Sequence, residues 1–173
     1  MRLVFDIETN GLYFDAAVIH CVAFYDLDTG ETFVHNDRGS DKPTVINALT
    51  ILEGADLLIG HNIIGYDIPV IQKLYPFFKP SGSLMDTLVL SRLLYPDLKD
   101  LDFRRKARSM PVHLYGRHSL EAWGHRLGEY KGEFGKAANA FSEWSESMED
   151  YCVQDLRVTT KLWQQLQKNY PGL

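Results

Sequence analysis

The alternation of apolar and polar positions divides this chain into a strand-rich first third and a helix-rich remainder. Leu3 to Ile7 is a short apolar run, Ala17 to Tyr25 (AVIHCVAFY) a longer one rich in β-formers, and both predict strands. Asp28-Thr29-Gly30 supplies a turn before a third predicted strand, Glu31 to His35, so these three consecutive strands form an antiparallel meander. A helix fits Pro43 to Leu52, with Asp41 or Ser40 as its cap and Pro43 in the first turn, where a missing N–H costs nothing. Asp56 to Gly60 (DLLIG) reads as a fourth, buried strand, which after a helical crossover runs parallel to the first. Beyond it the pattern is helical: Asp67 to Leu74, Thr87 to Leu94, Leu101 to Arg108, Ser119 to Leu127, and a long last helix from about Glu146 to Lys168. Pro76, Pro80, Pro96, Pro111 and Gly124, Gly128, Gly132 and Gly135 punctuate them. Sheet first and helices after, with one crossover, predicts an α/β fold: a central mixed sheet, antiparallel meander plus parallel strand, flanked by helices. Ligands gather in such folds at the carboxyl ends of the central strands.

A chain of 173 residues fits one domain spanning 1–173, and 45% hydrophobic residues is enough for a single core. No apolar stretch approaches a membrane span, which sets the expectation of a cytoplasmic protein without a membrane partner. Cys21 and Cys152 sit in apolar segments without Cys-x-x-Cys spacing and read as buried free thiols. A net charge of −5 argues against gripping nucleic acid by electrostatics alone. The distribution matters more: residues 1 to 100 carry 7 basic and 14 acidic side chains, residues 101 to 173 carry 11 and 9. Some early acids are therefore candidates for binding cations. The segment Asp102 to Lys131, with Arg104, Arg105, Lys106, Arg108, Arg117, Arg126 and Lys131, is the stretch that fits a polyanion, or else an ordinary solvated helix face.

Three short segments carry chemistry. Asp6-Ile7-Glu8 closes the first strand, where alternation points both carboxylates to one side; such like charges repel unless a cation sits between them. The pair alone is unspecific, since Asp-x-Glu is expected about once by chance in such a chain. His61 to Asp67 (HNIIGYD) is a polar loop directly after the fourth strand, opening on Asn62 and ending on Asp67, whose plainest role is to cap a helix. Tyr151 and Asp155, four apart on the last helix, share one face; Tyr151 in the core and Asp155 in a surface ion pair would be the structural alternative.

Taken in order, Asp-x-Glu on a strand, Asn-x-x-x-Tyr-Asp after a second strand and Tyr-x-x-x-Asp on a late helix resemble the three exonuclease motifs of the DEDDy subclass. Asp6-Ile7-Glu8-Thr9 with Leu12 is similar to the first motif of family A DNA polymerase proofreading domains. DTLVLSRLLYPDLKD (Asp86 to Asp100), HSLEAWGHRLGEYKGEF (His118 to Phe134) and MEDYCVQDLRVTTKL (Met148 to Leu162) are very similar to the exonuclease domain of short-tailed bacteriophage replicative polymerases, and the resemblance runs from Met1 to about Gln167. It implies a ribonuclease H-like fold and a 3′→5′ exodeoxyribonuclease that releases nucleoside monophosphates from single-stranded or frayed DNA 3′ ends. It also implies two divalent cations, Mg²⁺ or Mn²⁺, roughly 4 Å apart. In that scheme Asp6 bridges both ions, Glu8 and Asp155 complete the first site, Asp67 holds the second, and Tyr151 orients the attacking water. Ile7, Thr9, Leu12, Asn62, Tyr66 and Phe134 are the implied substrate contacts, Leu12 and Phe134 as wedges, and Arg104 to Arg108 are further phosphate candidates. Asp86 is most simply the cap of the helix after it.

No polymerase accompanies these motifs. A free-standing exonuclease, one working with a separate DNA polymerase chain in a host cytoplasm, and a domain cut from a longer product all stay open. The same carboxylates and tyrosine would also serve an oligoribonuclease-like 3′→5′ exoribonuclease, and a catalytically silent DNA- or polymerase-binding module is the rival from another class.

Overall fold

Strand β1 (Arg2–Thr9) lies at the centre of the sheet, and its alternation separates two kinds of surroundings. Leu3, Phe5 and Ile7 enter one apolar core, while Val4 on the opposite face enters another, with Asp6 and Glu8 following Val4 in phase. The computed structural model describes residues 1–39, 43–105, 110–129, 134–136 and 139–173. Antiparallel to β1 runs β2 (Ile19–Asp26), with Asp6 opposite Ala23, Glu8 opposite Cys21 and an irregularity in register between Glu8 and Thr9. Short β3 (Thr32–His35) completes the meander on its far side.

Helix α1 (Val45–Glu53) then crosses over to β4 (Leu57–Gly60), which pairs parallel to β1 as expected. Its cap differs from the expectation: Thr44 accepts from Asn47 N, so the helix starts after Pro43, and Ser40 and Asp41 lie outside the described residues. A fifth strand, β5 (Ser83–Asp86), is absent from the sequence reading and gives the sheet the order β3-β2-β1-β4-β5. Its four residues carry no apolar run; pairing with β4 makes it a strand, Gly60 lying opposite Asp86. Gly82 lets the chain enter that position, because a Cβ there would sit 2.2 Å from the carbonyl oxygen of Ala55.

The remaining helices are α2 (Asp67–Leu74), α3 (Thr87–Leu94), α4 (Leu98–Arg105), α5 (Leu120–Leu127) and α6 (Glu146–Asn169). Helix α4 begins three residues before the predicted start at Leu101, and residues 106–108 of that prediction lie outside the described ones. One face of the sheet packs Leu3, Phe5 and Ile7 against Val45, Leu49 and Leu52 of α1 and Ile68 and Ile71 of α2. The other packs Val4, Cys21, Ala23 and Ile59 against Cys152, Leu156 and Trp163 of α6. Helix α6 is covered again on its outer side, where Val158, Leu162 and Leu166 meet Leu98, Leu120 and Trp123. Helix α6 is therefore fixed on two sides, and so is whatever it carries toward β1. Among the described residues, no helix is long and apolar enough to cross a membrane.

Candidate active site

The parity of β1 delivers Asp6 and Glu8 to the α6 face, and α6 answers with Tyr151, Cys152 and Asp155 on its first turns. Asp6 and Asp155 line one cavity of about 570 Å³, while Glu8 lines a second of about 270 Å³. Asp67 arrives from a third direction. It is the first residue of α2 rather than its cap, which is Tyr66, and its Oδ1 accepts from the backbone N–H of Ile7 at 3.3 Å, between the other two acids in sequence. Glu8, Asp67 and Asp155 are all buried, and Asp6 is half-buried. The structure thus brings together the four carboxylates picked from sequence.

Burial pushes the Asp67 carboxyl up to about 7, and the negative charges of Asp86 and Asp155 push the same way against the stabilising N–H bonds. A carboxyl with a raised pKa in the fold contributes stability that is fully present below about pH 4 and lost as pH rises through 7. In chelator the unfolding free energy should therefore fall over that interval, by at most roughly 4 kcal/mol from this group. Asp67→Asn should flatten the difference and Mn²⁺ should restore stability at pH 7; a native pH profile matching that of Asp67→Asn in chelator would contradict this electrostatic account.

The oxygen-rich donor set fits hard divalent cations such as Mg²⁺ or Mn²⁺. One sulfur intrudes: Cys152 Sγ lies with carboxylate oxygens of Asp6 and Glu8, all within 4.8 Å of one another. The neighbouring Cys21 thiol, full burial and the charge of Asp6 hold the Cys152 thiol well above its usual pKa. Cys152 is therefore a thiol donor, 3.4 Å from Asp6 Oδ2, and steadies that carboxylate. The expectation of two buried free thiols holds.

Ile7, Glu8, Thr9, Gly11, Leu12, Tyr66 and Phe141 line the smaller cavity. Tyr66 donates to Gly11 O at 2.6 Å, and the Thr9 hydroxyl lies 2.5 Å from the Tyr66 oxygen and 2.8 Å from Gly11 O, so three polar atoms fix the floor. Among the described residues, the ring lining the wall with Leu12 is Phe141, where sequence had pointed to Phe134. Phe134 belongs to the short 3₁₀ turn Phe134–Lys136 and packs against both Phe141 and Tyr151, ring centroids 5.5 and 5.6 Å away. His20 holds the Phe141 carbonyl at 3.1 Å. The Phe134 and Phe141 rings also fix the ring of Tyr151.

The larger cavity has a basic wall in Arg92 and Arg117, beside His61, Asn62, Gly116, His118 and Ser119. Two buried acids build it. Asp86 caps α3 through Leu88 N and Val89 N and also accepts from Asn62 N and Ile64 N, holding the loop in which Asn62 takes a positive φ of 67°. Asp102 accepts a two-pronged bond from buried Arg126 and another from Gly116 N, while Arg126 reaches Arg117 O; Gly116 itself needs its φ of +72°. Arg126 thus supports the wall from behind. Arg104 and Arg105 end α4, with Arg105 at a separate cavity, and Lys106 and Arg108 lie outside the described residues. Among the described residues, the arginines lining the larger cavity are thus Arg92, at the end of α3, and Arg117.

Four acidic side chains at the carboxyl end of the central strand of this five-stranded mixed sheet define a ribonuclease H-like α/β protein. A model of the RNase H superfamily matches residues 3–167, and the chain belongs to that family. Over 186 aligned positions it is 37% identical to the DNA-directed DNA polymerases of Enterobacteria phage T3 and Escherichia phage T7, covering 95% of this chain and 26% of each relative. It therefore spans about a quarter of the length of these relatives. Brucella melitensis NrnC with bound Mg²⁺ superposes with a TM-score of 0.61 at 18% identity, over 96% of this chain and 72% of that one. Exonuclease X in complex with 5′ overhanging duplex DNA does so with a TM-score of 0.57 at 16% identity, over 99% and 93%. At such identities these two show the fold alone.

Proposed function

We propose that the protein is a divalent-cation-dependent 3′→5′ exodeoxyribonuclease of the proofreading type, releasing nucleoside monophosphates from single-stranded or frayed DNA 3′ ends. The observation that carries this reading is the placing of the carboxylates in two cavities, Asp6 and Asp155 in one with Arg92 and Arg117, Glu8 in an apolar one with Leu12 and Phe141. Homology to phage DNA polymerases supports DNA as the polymer, and a separate polymerase chain is the partner this reading anticipates. Asp6, Glu8, Asp67 and Asp155 would hold two Mg²⁺ or Mn²⁺ ions. When bound, such ions supply charge neutralisation at the phosphate and activate water for attack on phosphorus.

The remaining work falls to side chains. Leu12 and Phe141 grip the terminal base, the Thr9–Tyr66–Gly11 floor orients its sugar, and Glu8 meets the 3′-hydroxyl. Tyr151, its ring wedged by Phe134 and Phe141, orients the attacking water through its phenol. Asn62, Arg92 and Arg117 hold the phosphates of the preceding nucleotides. Because the last base must leave the stack, mispaired ends react faster than paired ones through easier fraying.

Matched 5′-labelled DNA and RNA oligonucleotides test the polymer: DNA should be shortened at least tenfold faster, on the order of one strong sugar contact. Preferential digestion of RNA would support an oligoribonuclease-like enzyme instead. Arg117→Ala should raise KM on oligonucleotides and reduce the slope of log affinity against log salt by about 0.7, as expected for one lost single-strand phosphate contact. An unaltered salt slope would remove Arg117 from the phosphate path.

A further inference from the structure

We propose that Lys73 is a positioning residue, which locks the loop from Gly11 to Val18 so that Leu12 and Phe14 form a ready-made apolar ledge for the last two bases of the substrate strand. The proposal rests on the exonuclease reading above and extends it from the terminal nucleotide to its neighbour.

Lys73 stands in the last turn of α2, the helix that begins with Asp67. Its ammonium donates to three backbone carbonyls of one loop, Tyr13 O at 2.8 Å, Phe14 O at 3.0 Å and Ala16 O at 2.9 Å. An ammonium has three N–H donors, and here all three converge on four consecutive residues. The same cation lies 5.5 Å from the centroid of the Tyr13 ring. Other bonds fix the ends of the loop. Asn10 Oδ1 accepts from Ala17 N and Val18 N, Asp15 N and Ala16 N turn back onto Leu12 O, and Gly11 O is held by Tyr66 and Thr9. Ala16 is buried in the core under α1 and α2.

A loop held this firmly nevertheless presents Leu12 at 76% exposure and Phe14 at 89%, with the Tyr13 ring packed edge-on against Phe14 at 5.3 Å. Leu12 already lines the cavity that contains Glu8 and Thr9, so the ledge is continuous with the proposed seat of the terminal nucleotide. Rigid, exposed apolar side chains beside such a seat suit the faces of unstacked bases, because stacking tolerates any sequence and ordering costs are already met in the free protein. Phe14, two residues beyond the Leu12 wedge, is placed for the penultimate base, and Lys73 is the group that keeps it there.

Two substrates and one activity-independent measurement test this. Native protein is assayed on a single-stranded deoxyoligonucleotide and on the p-nitrophenyl ester of thymidine 5′-monophosphate, which carries one base. Lys73→Met should raise KM for the oligonucleotide about tenfold or more, with kcat within about threefold of native. Lys73→Arg, which keeps N–H donors, should restore most of the loss. Phe14→Ala should raise the ratio of oligonucleotide KM to ester KM by about five- to a hundredfold, the range for one stacked base. A native KM in Lys73→Met, a loss confined to kcat, or equal effects of Phe14→Ala on both substrates would overturn the proposal. Chymotrypsin supplies the independent measurement: cleavage after Tyr13 or Phe14 should be slow in native protein and much faster in Lys73→Met, and equal rates would refute the clamp. Native protein inactive on both substrates would defeat the nuclease reading instead, leaving the proteolysis result to judge the clamp. Should Lys73→Met fail to fold in a thermal scan, Lys73→Gln, which is too short to hold all three carbonyls, takes its place in both the kinetic and the proteolysis test, and Phe14→Ala tests the ledge.

Discussion

Replacing Asp6 with alanine is expected to cut cation-dependent nucleotide release by a factor on the order of a thousand or more while leaving the protein folded. Both halves follow from the position of the side chain. Asp6 belongs to both sides of the proposed chemistry: it shares the large cavity with Asp155, stands beside Glu8 and receives the Cys152 thiol. Its removal leaves the backbone pairing of β1 with β2 intact and takes one negative charge from a crowded buried cluster, so thermal stability without metal should hold or rise. Hydrolysis by Asp6→Ala near the native rate would show that the carboxylate does not serve catalysis. A protein that no longer melts cooperatively would show that the residue serves the fold.

Asp86→Ala should produce the largest loss of stability, about 3–5 kcal/mol, because it removes one buried carboxylate that serves four backbone donors at once. The Asp86 carboxylate takes Asn62 N and Ile64 N at 3.0 Å each, Leu88 N at 2.9 Å and Val89 N at 3.3 Å. Water cannot replace these bonds easily, since the carboxylate is 3% exposed. The same change frees the loop that carries Asn62 and leads to Asp67, so activity should fall together with stability. Urea unfolding measures it: the midpoint should drop with the slope unchanged. A midpoint shift worth less than about 1 kcal/mol, the value of an ordinary helix cap, would mean that the loop holds itself in place.

Asp86 also marks where sequence reasoning stopped short. Its role as a helix cap was legible, because an acid before Thr87-Leu88-Val89 is a local signal. Its grip on residues 62 and 64 was not, since that contact depends on β5, a four-residue strand formed by pairing with β4 rather than by its own pattern. The acids were legible for the opposite reason. Strand parity on β1 and a spacing of four on α6 are fixed by backbone geometry, so Asp6 with Glu8 and Tyr151 with Asp155 could be paired off without knowing the packing. Contacts between distant segments left no such trace: Phe141 at the nucleotide cavity, Arg92 and Arg117 at the cationic wall, Cys152 under Asp6, Lys73 on the 11–18 loop. Charge counting over Asp102 to Lys131 included Arg117 among several candidates, yet it could not see that Arg117 would line the larger cavity while Arg126 would be spent on buried Asp102.

The most direct test of the central claim is the digestion of a single-stranded deoxyoligonucleotide labelled at its 5′ end, with Mg²⁺ or Mn²⁺ and again with excess chelator. The account predicts a ladder of labelled products shortened one nucleotide at a time from the 3′ end, nucleoside monophosphates as the released species, and no ladder in chelator. Immediate release of label as a mononucleotide, internal cuts, or undiminished digestion in chelator would contradict it.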